Sequence, residues 1–215
     1  LFIITYRMKT KIIHILTLAL VVLLPAMRLT AADSASGIVN RAVTKFQSVP
    51  SLTIRFDITA HRHVSSGTMT VAGDRFKLEI GDMVTWYDGR NQWTYVKSDN
   101  EITITQPTVE ELAQINPFAI ISSIRGRFNA SLLSSDSTAD NVVFTPRGSA
   151  NVGITRMIVK FSKTTSWPNE IAIETDNGET GKILVKSVTP GGKLAVTSFS
   201  CDTKQYPKAE IIDLR

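Results

Sequence analysis

Residues 83–96 read Met83-Val84-Thr85-Trp86-Tyr87-Asp88-Gly89-Arg90-Asn91-Gln92-Trp93-Thr94-Tyr95-Val96. Two aromatic and β-branched runs flank a short polar turn centred on Asp88-Gly89, which is a strong hairpin signal. Glu101 to Thr105 alternates Ile102 and Ile104 with polar residues and extends the pair into a meander. Beyond it, Thr108 and Glu111 have capping-box spacing after Pro107. Asn116-Pro117 then has the residues that open a helix, because Asn caps and Pro suits the first helical position. The segment Phe118-Ala119-Ile120-Ile121 that follows has almost no polar side.

Working outward, the same alternation recurs. Leu52, Ile54, Phe56 and Ile58 alternate with Thr53, Arg55, Asp57 and Thr59, and Phe76, Leu78 and Ile80 alternate with Arg75, Lys77 and Glu79. Further strands are predicted at 141–146, 154–162, 169–175, 181–188, 193–201 and 209–214, punctuated by Asn177-Gly178 and Pro190-Gly191-Gly192. Ser131 to Ala139 reads as a polar surface loop. Ile38, Val39, Ala42, Val43 and Phe46 fall on one side of a helix from about Ala35 to Gln47, with Ser34 or Ser36 as its cap. The fold class is therefore α+β, mainly β: one antiparallel sheet with a wet face and an apolar face, the latter covered by about three helices. Periodicity alone does not separate a filled core from a cavity.

The order of features over residues 66–124 resembles the periplasmic lipoprotein carrier family known as LolA. It runs Gly67-Thr68-Met69-Thr70-Val71, Arg75-Phe76-Lys77-Leu78, Trp86-Tyr87-Asp88-Gly89, Gln92-Trp93-Thr94-Tyr95, then Asn116-Pro117-Phe118. Phe199, Pro207 and Ala209-Glu210-Ile211-Ile212-Asp213 look like the family's ending. The resemblance implies a strongly curved sheet, an unclosed half-barrel, whose concave side holds acyl chains under a helical lid. On that reading Ile54, Phe56, Met69, Val71, Phe76, Leu78, Trp86, Ile102 and Ile104 line the lipid site, and Phe118, Ile120 and Ile121 form the lid. It also implies acylated lipoproteins as cargo, an ATP-driven inner-membrane complex that loads the carrier and an outer-membrane receptor that unloads it. A glycolipid or fatty-acyl carrier is an alternative, as is a regulatory module that senses mislocalised lipoproteins. One departure stands out: where family members carry Arg-Pro, this chain has Ala72-Gly73.

Met8-Lys9-Thr10-Lys11, the apolar run Ile12 to Ala26 and Ala31-Ala32 have the three regions of a secretory signal peptide. This predicts cleavage after Ala31 or Ala32, export to the periplasm and a single domain over 33–215, with residues 1–7 an over-extended start. An uncleaved anchor competes, but the run is shorter than the roughly 20 apolar residues a span needs. Of the 24 Lys and Arg, only Arg7, Lys9, Lys11 and Arg28 fall within residues 1–32, which hold no acid, so 20 basic residues face 19 acidic ones in the remainder. The net charge of +5 thus belongs mainly to the leader, and the electrostatic footprint of a nucleic-acid binder is missing. A monomer is expected.

Chemistry-bearing residues are few. Cys201 is the only cysteine, so no intrachain disulfide forms, and without a CxxC it reads as a small residue of a late strand. His61 and His63 could face the same way on a strand, but no third metal ligand lies near them in sequence. There is no GxSxG elbow and no phosphate-binding loop. Glu110-Glu111 read as helix-start acids rather than as a general acid and base. The expectation is a non-enzymatic protein without metal or cofactor.

Overall fold

Ser34 accepts the backbone N–H of Gly37 at 3.2 Å and so caps helix α1 (Ala35–Gln47). The helix buries Ala35, Ile38, Val39, Ala42 and Val43, the apolar stripe that its spacing dictates. The computed structural model describes residues 34–60, 63–108, 111–112, 127–148 and 153–215, and Ser34–Arg215 form one compact unit. After α1 come β1 (Ser51–Ala60), β2 (His63–Ala72), β3 (Arg75–Ile80), β4 (Met83–Tyr87), β5 (Gln92–Val96), β6 (Glu101–Thr105), β7 (Phe128–Ser135), β8 (Ala139–Pro146), β9 (Ile154–Ser162), β10 (Pro168–Thr175), β11 (Thr180–Gly191) and β12 (Glu210–Asp213).

All twelve strands join one open, curved sheet in the order β12-β6-β5-β4-β3-β2-β1-β11-β10-β9-β8-β7. Every pairing is antiparallel except that of β12, which lies parallel to β6 with Ile211 opposite Ile102. Among the described residues one α-helix covers the sheet, not about three. Of the helix expected after Pro107, only the capping box and residues 111–112 are described. There the Thr108 N–H donates to Glu111 Oε2 at 2.7 Å and the Glu111 N–H to Thr108 Oγ1 at 3.3 Å. The helix expected from Asn116 lies outside the described residues.

Directly opposed residues share a face of the sheet, so the register sorts the side chains. From β1 outward, Leu52 opposes Val71, Ile54 opposes Met69, Met69 opposes Leu78, and Val71 opposes Phe76. On the far side, Ile171 opposes Val159 and Ile183, and Val142 opposes Val159. Phe76 of β3 and Phe128 of β7 stand far apart in the strand order yet belong to one buried cluster with α1. The face they share is therefore the inside of the curve.

Turns fix that register. Gly73 and Gly81 have φ of 64° and 58° and open the two-residue links from β2 to β3 and from β3 to β4. At the quoted hairpin, Asp88 Oδ1 accepts the N–H groups of Arg90 at 2.9 Å and Asn91 at 2.8 Å. Burial opposes ionisation of Asp88, but these bonds outweigh it and hold its carboxyl below the usual range. Gly89 has φ of 102° beside Asp74, so the Asp-Gly pair is required by the turn.

Three sequence expectations fail. Ser131 to Ala139 is not a loop: β7 runs to Ser135 and only 136–138 turn, because an edge strand exposed on its free side tolerates serines. Pro190-Gly191 does not end β11 early, since Ser51 pairs with Gly191. Residues 193–201 do not pair as a strand. They leave the sheet, and Val196–Phe199 form a 3-10 turn; an extended crossing segment shows the same alternation as a paired strand.

At Gly67, a Cβ would sit 2.6 Å from the Phe56 ring, so the phenylalanine occupies the space over its cross-strand partner. Gly67→Ala is expected to cost about 1–3 kcal/mol through displacement of Phe56, read as a lowered urea midpoint.

Candidate functional site

Ile54, Phe56, Met69, Val71, Phe76 and Leu78, six of the candidate lipid-site residues, come together on the inner face of β1, β2 and β3. Each is at most 6% exposed. Phe76 also meets Tyr87 of β4 with ring centroids 5.5 Å apart. The apolar surface continues across β11, β10, β9 and β8 through Ile183, Ile171, Val159, Met157 and Phe144. Under α1 the packing is close: Ala42, Phe46, Leu52, Ile54, Trp167, Pro168 and Val188 surround a gap of about 10 Å³. That volume admits at most one water, so the helix itself sits on the sheet as core.

Trp86, Ile102 and Ile104 are on the other side. Lys77 opposes Trp86 and Leu78 opposes Thr85, so Trp86 shares the outer face with Lys77, whose ammonium lies 5.7 Å from the Trp86 ring. Trp93 opposes both Trp86 and Ile104, and Tyr95 opposes Ile102, which carries the outer face through β5 and β6. These side chains are buried all the same, at 7% exposure for Trp86 and 0% for Ile102.

Their cover is the C-terminal segment. The 3-10 turn Val196–Phe199 lies against β3, and Phe199 is fully buried. Tyr206 packs on Tyr95 at 4.5 Å and edge-on to Trp86 at 6.3 Å. Asn100, in a left-handed conformation at φ 52°, donates to the Lys208 carbonyl at 2.6 Å, and β12 then pairs with β6. A second small core therefore stands on the outer face. The three isoleucine and tryptophan positions assigned to the lipid site belong to it.

The link lengths carried the missing signal. Gly81-Asp82 is a two-residue link, so Met83 must oppose Ile80, and Thr85 rather than Trp86 follows Leu78 on the inner face. The inner face of β4 to β6 consequently carries a threonine row, with Thr85 opposing Thr94 and Thr94 opposing Thr103, beside the apolar pair Met83 and Val96. Phe118, Ile120 and Ile121, the lid candidates, lie outside the described residues.

Elsewhere the outer face is charged. A groove of about 500 Å³ is lined by Arg55, Asp57, Ser66, Thr68, Glu79 and Lys186, together with Phe56 and Gly67. Lys186 stands at the bulge opposite Arg55 and Phe56 and bonds Asp57 at 2.9 Å. Hydrogen bonds from Lys186 and Ser66 lower the Asp57 carboxyl below its ordinary range. This lining suits no acyl chain. Arg75, on the outer face next to Phe76, lies 3.8 Å from Asp74 and does not reach inward.

His63 opposes Ala60 at a strand end, and His61 lies outside the described residues. Among the described residues no three His, Cys, Asp or Glu side chains converge as metal ligands. Cys201 follows the 3-10 turn rather than lying on a strand; burial, then the charge of Asp202, pushes its thiol up to about 11. It is therefore expected to react slowly with a disulfide reagent at pH 7.5 and to speed up as pH rises toward 11.

The family model described as outer membrane lipoprotein carrier protein LolA matches residues 29–154. The chain belongs to the LolA family. The match covers the inner-face strands β1 to β6 and ends at the start of β9. No curated protein matches the chain. Among solved structures, an uncharacterised conserved protein from Thermus thermophilus is 13% identical, with 83% of this chain and 98% of that chain covered and a TM-score of 0.55. A DUF1329 family protein from Desulfovibrio piger is 11% identical over 79% of this chain and 98% of that one, with a TM-score of 0.48. A putative outer membrane lipoprotein-sorting protein domain from Vibrio parahaemolyticus is 10% identical over 80% and 97%, with a TM-score of 0.46. At such identities the Thermus likeness speaks for the fold alone. No helix among the described residues is long and apolar enough to cross a membrane.

Proposed function

We propose that this LolA-family chain is a periplasmic carrier that holds the acyl chains of lipoproteins on the inner face of its sheet and moves them from the inner to the outer membrane. The observation that carries this reading is the apolar inner face, which extends from Phe76 on β3 to Phe128 on β7 in a chain whose residues 29–154 match the carrier family. Burying an acyl chain is worth about 0.8 kcal/mol per methylene, so one long chain is held by roughly 10 kcal/mol in a membrane and does not cross water alone. A carrier offers comparable apolar surface and yields it to an acceptor. No chemical step is needed for that exchange, so the protein acts without catalysis, metal or cofactor. An ATP-driven inner-membrane complex supplies the cargo, an outer-membrane receptor takes it, and the leader over residues 1–32 delivers the protein to the compartment between them.

Native mass spectrometry of gently purified protein tests the reading. Adducts with acyl-lipid masses that exchange on addition of vesicles are expected; folded protein with no bound or exchangeable lipid would speak against it. Phe118, Ile120 and Ile121 act as the lid on this proposal. Phe118→Ala and Ile121→Ala should then weaken acyl-probe binding and transfer to vesicles, with stability losses smaller than the about 2–5 kcal/mol of a filled core site.

A further inference from the structure

A bulge in β11 gives the outer face of the central strands one more side chain than regular alternation supplies. Arg55 of β1 opposes Ser187 and Phe56 opposes Val185, so Lys186 is the extra residue between them. Val185 and Val188 both pack against the core, which turns Lys186 and Ser187 outward together. On the other side of β1, Arg55 opposes Thr68, and Thr68 opposes Glu79, so Ser187, Arg55, Thr68 and Glu79 form one cross-strand row. The groove of about 500 Å³ follows this row, from Lys186 on β11 to Glu79 on β3.

Both carboxylates of the groove are already neutralised. Asp57 takes Lys186 at 2.9 Å and the Ser66 hydroxyl at 2.8 Å, and Glu79 takes Lys77 at 2.9 Å. The charge that remains is that of Arg55, whose guanidinium has no ion pair or hydrogen bond among the described residues. The Thr68 and Ser187 hydroxyls stand on either side of it, likewise without a hydrogen bond among those residues. A guanidinium fork between two O–H groups matches a carboxylate, which accepts from all three. A phosphate dianion or a polyanion fits less well, because Asp57 and Glu79 share the lining and repel any negative charge beyond the one that Arg55 offsets. From β11 to β3 the groove crosses three strand spacings, about 14 Å, which is the length of about four extended residues.

We infer that this groove docks an extended peptide segment of a partner protein, with the carboxylate of one Asp or Glu side chain seated on Arg55 between Thr68 and Ser187. The C-terminal segment covers the neighbouring outer face, where its 3-10 turn lies against β3, but leaves Arg55, Ser66 and Lys186 exposed. The groove is on the face opposite the proposed acyl surface, so a partner held there does not compete with a bound chain. The two readings therefore stand or fall separately.

The test titrates the isotope-labelled full chain with acetyl-Thr-Val-Glu-Val-Thr-amide, in which the Glu is the only charge, and with the same peptide carrying Gln, and follows amide NMR shifts. Wild type is expected to bind the Glu peptide about tenfold more tightly than the Gln peptide, the worth of one charge-assisted hydrogen bond, with shifts centred on Arg55, Thr68, Lys186 and Ser187. Arg55→Gln should bring the two peptides within about twofold and leave the urea midpoint unchanged, as for an exposed position. Thr68→Val, which removes one donor, should weaken the Glu peptide several-fold and leave the Gln peptide as it was. Equal affinity of wild type for the two peptides, or no saturable shift at millimolar peptide, overturns the site. A preference for Glu that survives in both variants overturns it as well. Inorganic phosphate that shifts the same amides with the affinity of the Glu peptide would make the groove a simple anion site and overturn the peptide partner.

Discussion

Leu78→Glu is expected to abolish acyl-probe binding at pH 8 and to cost about 3–5 kcal/mol of stability, the penalty for an uncompensated buried charge. Leu78 is 6% exposed and directly opposite Met69 on the inner face. Burial disfavours the charged carboxylate, so the new side chain's pKa rises on folding. For an acid with a raised folded pKa the penalty is full above that pKa and fades as pH falls through it. Urea midpoints of the variant should therefore recover toward wild type between pH 8 and pH 5, and probe binding should partly return. Thr70→Glu is the matched control, because Thr70 is on the outer face opposite Lys77. It should leave probe binding within about twofold of wild type, consistent with a surface substitution. Lys77 is a poorer control position: its ammonium bonds Glu79 at 2.9 Å and lies over Trp86.

Phe199→Ala should be the most destabilising truncation outside the main core, at about 3–5 kcal/mol. The ring is fully buried yet belongs to the outer-face cluster rather than to the one beneath α1. Loss of it leaves a void under the C-terminal segment and loosens the cover that Tyr206 provides for Trp86. The urea midpoint should drop, and tryptophan emission should shift to the red before global unfolding. Acyl-probe affinity of the protein that remains folded should stay within about twofold of wild type, because the altered group is on the face away from the proposed lipid site. A stability loss below about 1 kcal/mol would show that the segment adds little to the fold.

The contrast between these two sites explains what the sequence disclosed. Strands β1 and β3 were legible because their faces are unequal: Ile54-Phe56 and Phe76-Leu78 alternate with charged residues, and only one parity can be buried. Strands β4 to β6 were legible as strands, but which of their faces turns inward was not legible by hydrophobicity, since Trp86, Ile102 and Ile104 are buried against a segment about a hundred residues later in the chain. Apolar residues on that stretch face outward because the C-terminal segment covers them. Counting the two residues of the Gly81-Asp82 link would have placed Trp86 correctly without any structure. Residues 193–201 misled for a related reason. Their alternation marks Phe199 as a plug in a crossing segment, and period two does not distinguish that from a paired strand. Ser131 to Ser135 misled in the opposite direction, because an edge strand with one partner shows a weak pattern. The helix at 35–47, the Asp88-Gly89 turn and the Thr108-Glu111 box were legible because capping and turn chemistry are local.

The central claim is that acyl chains lie on the inner face. Photolabelling tests it most directly: a palmitic acid analogue carrying a terminal diazirine is bound to the purified protein, irradiated, and the modified residues are mapped by peptide mass spectrometry. Adducts confined to inner-face strands, on or beside Met69, Phe76, Leu78, Met157 and Phe144 and competed by unlabelled palmitate, are the expected result. Competed adducts concentrated on the outer face around Trp86, Phe199 and Tyr206, or no competed adduct in folded protein, would contradict it.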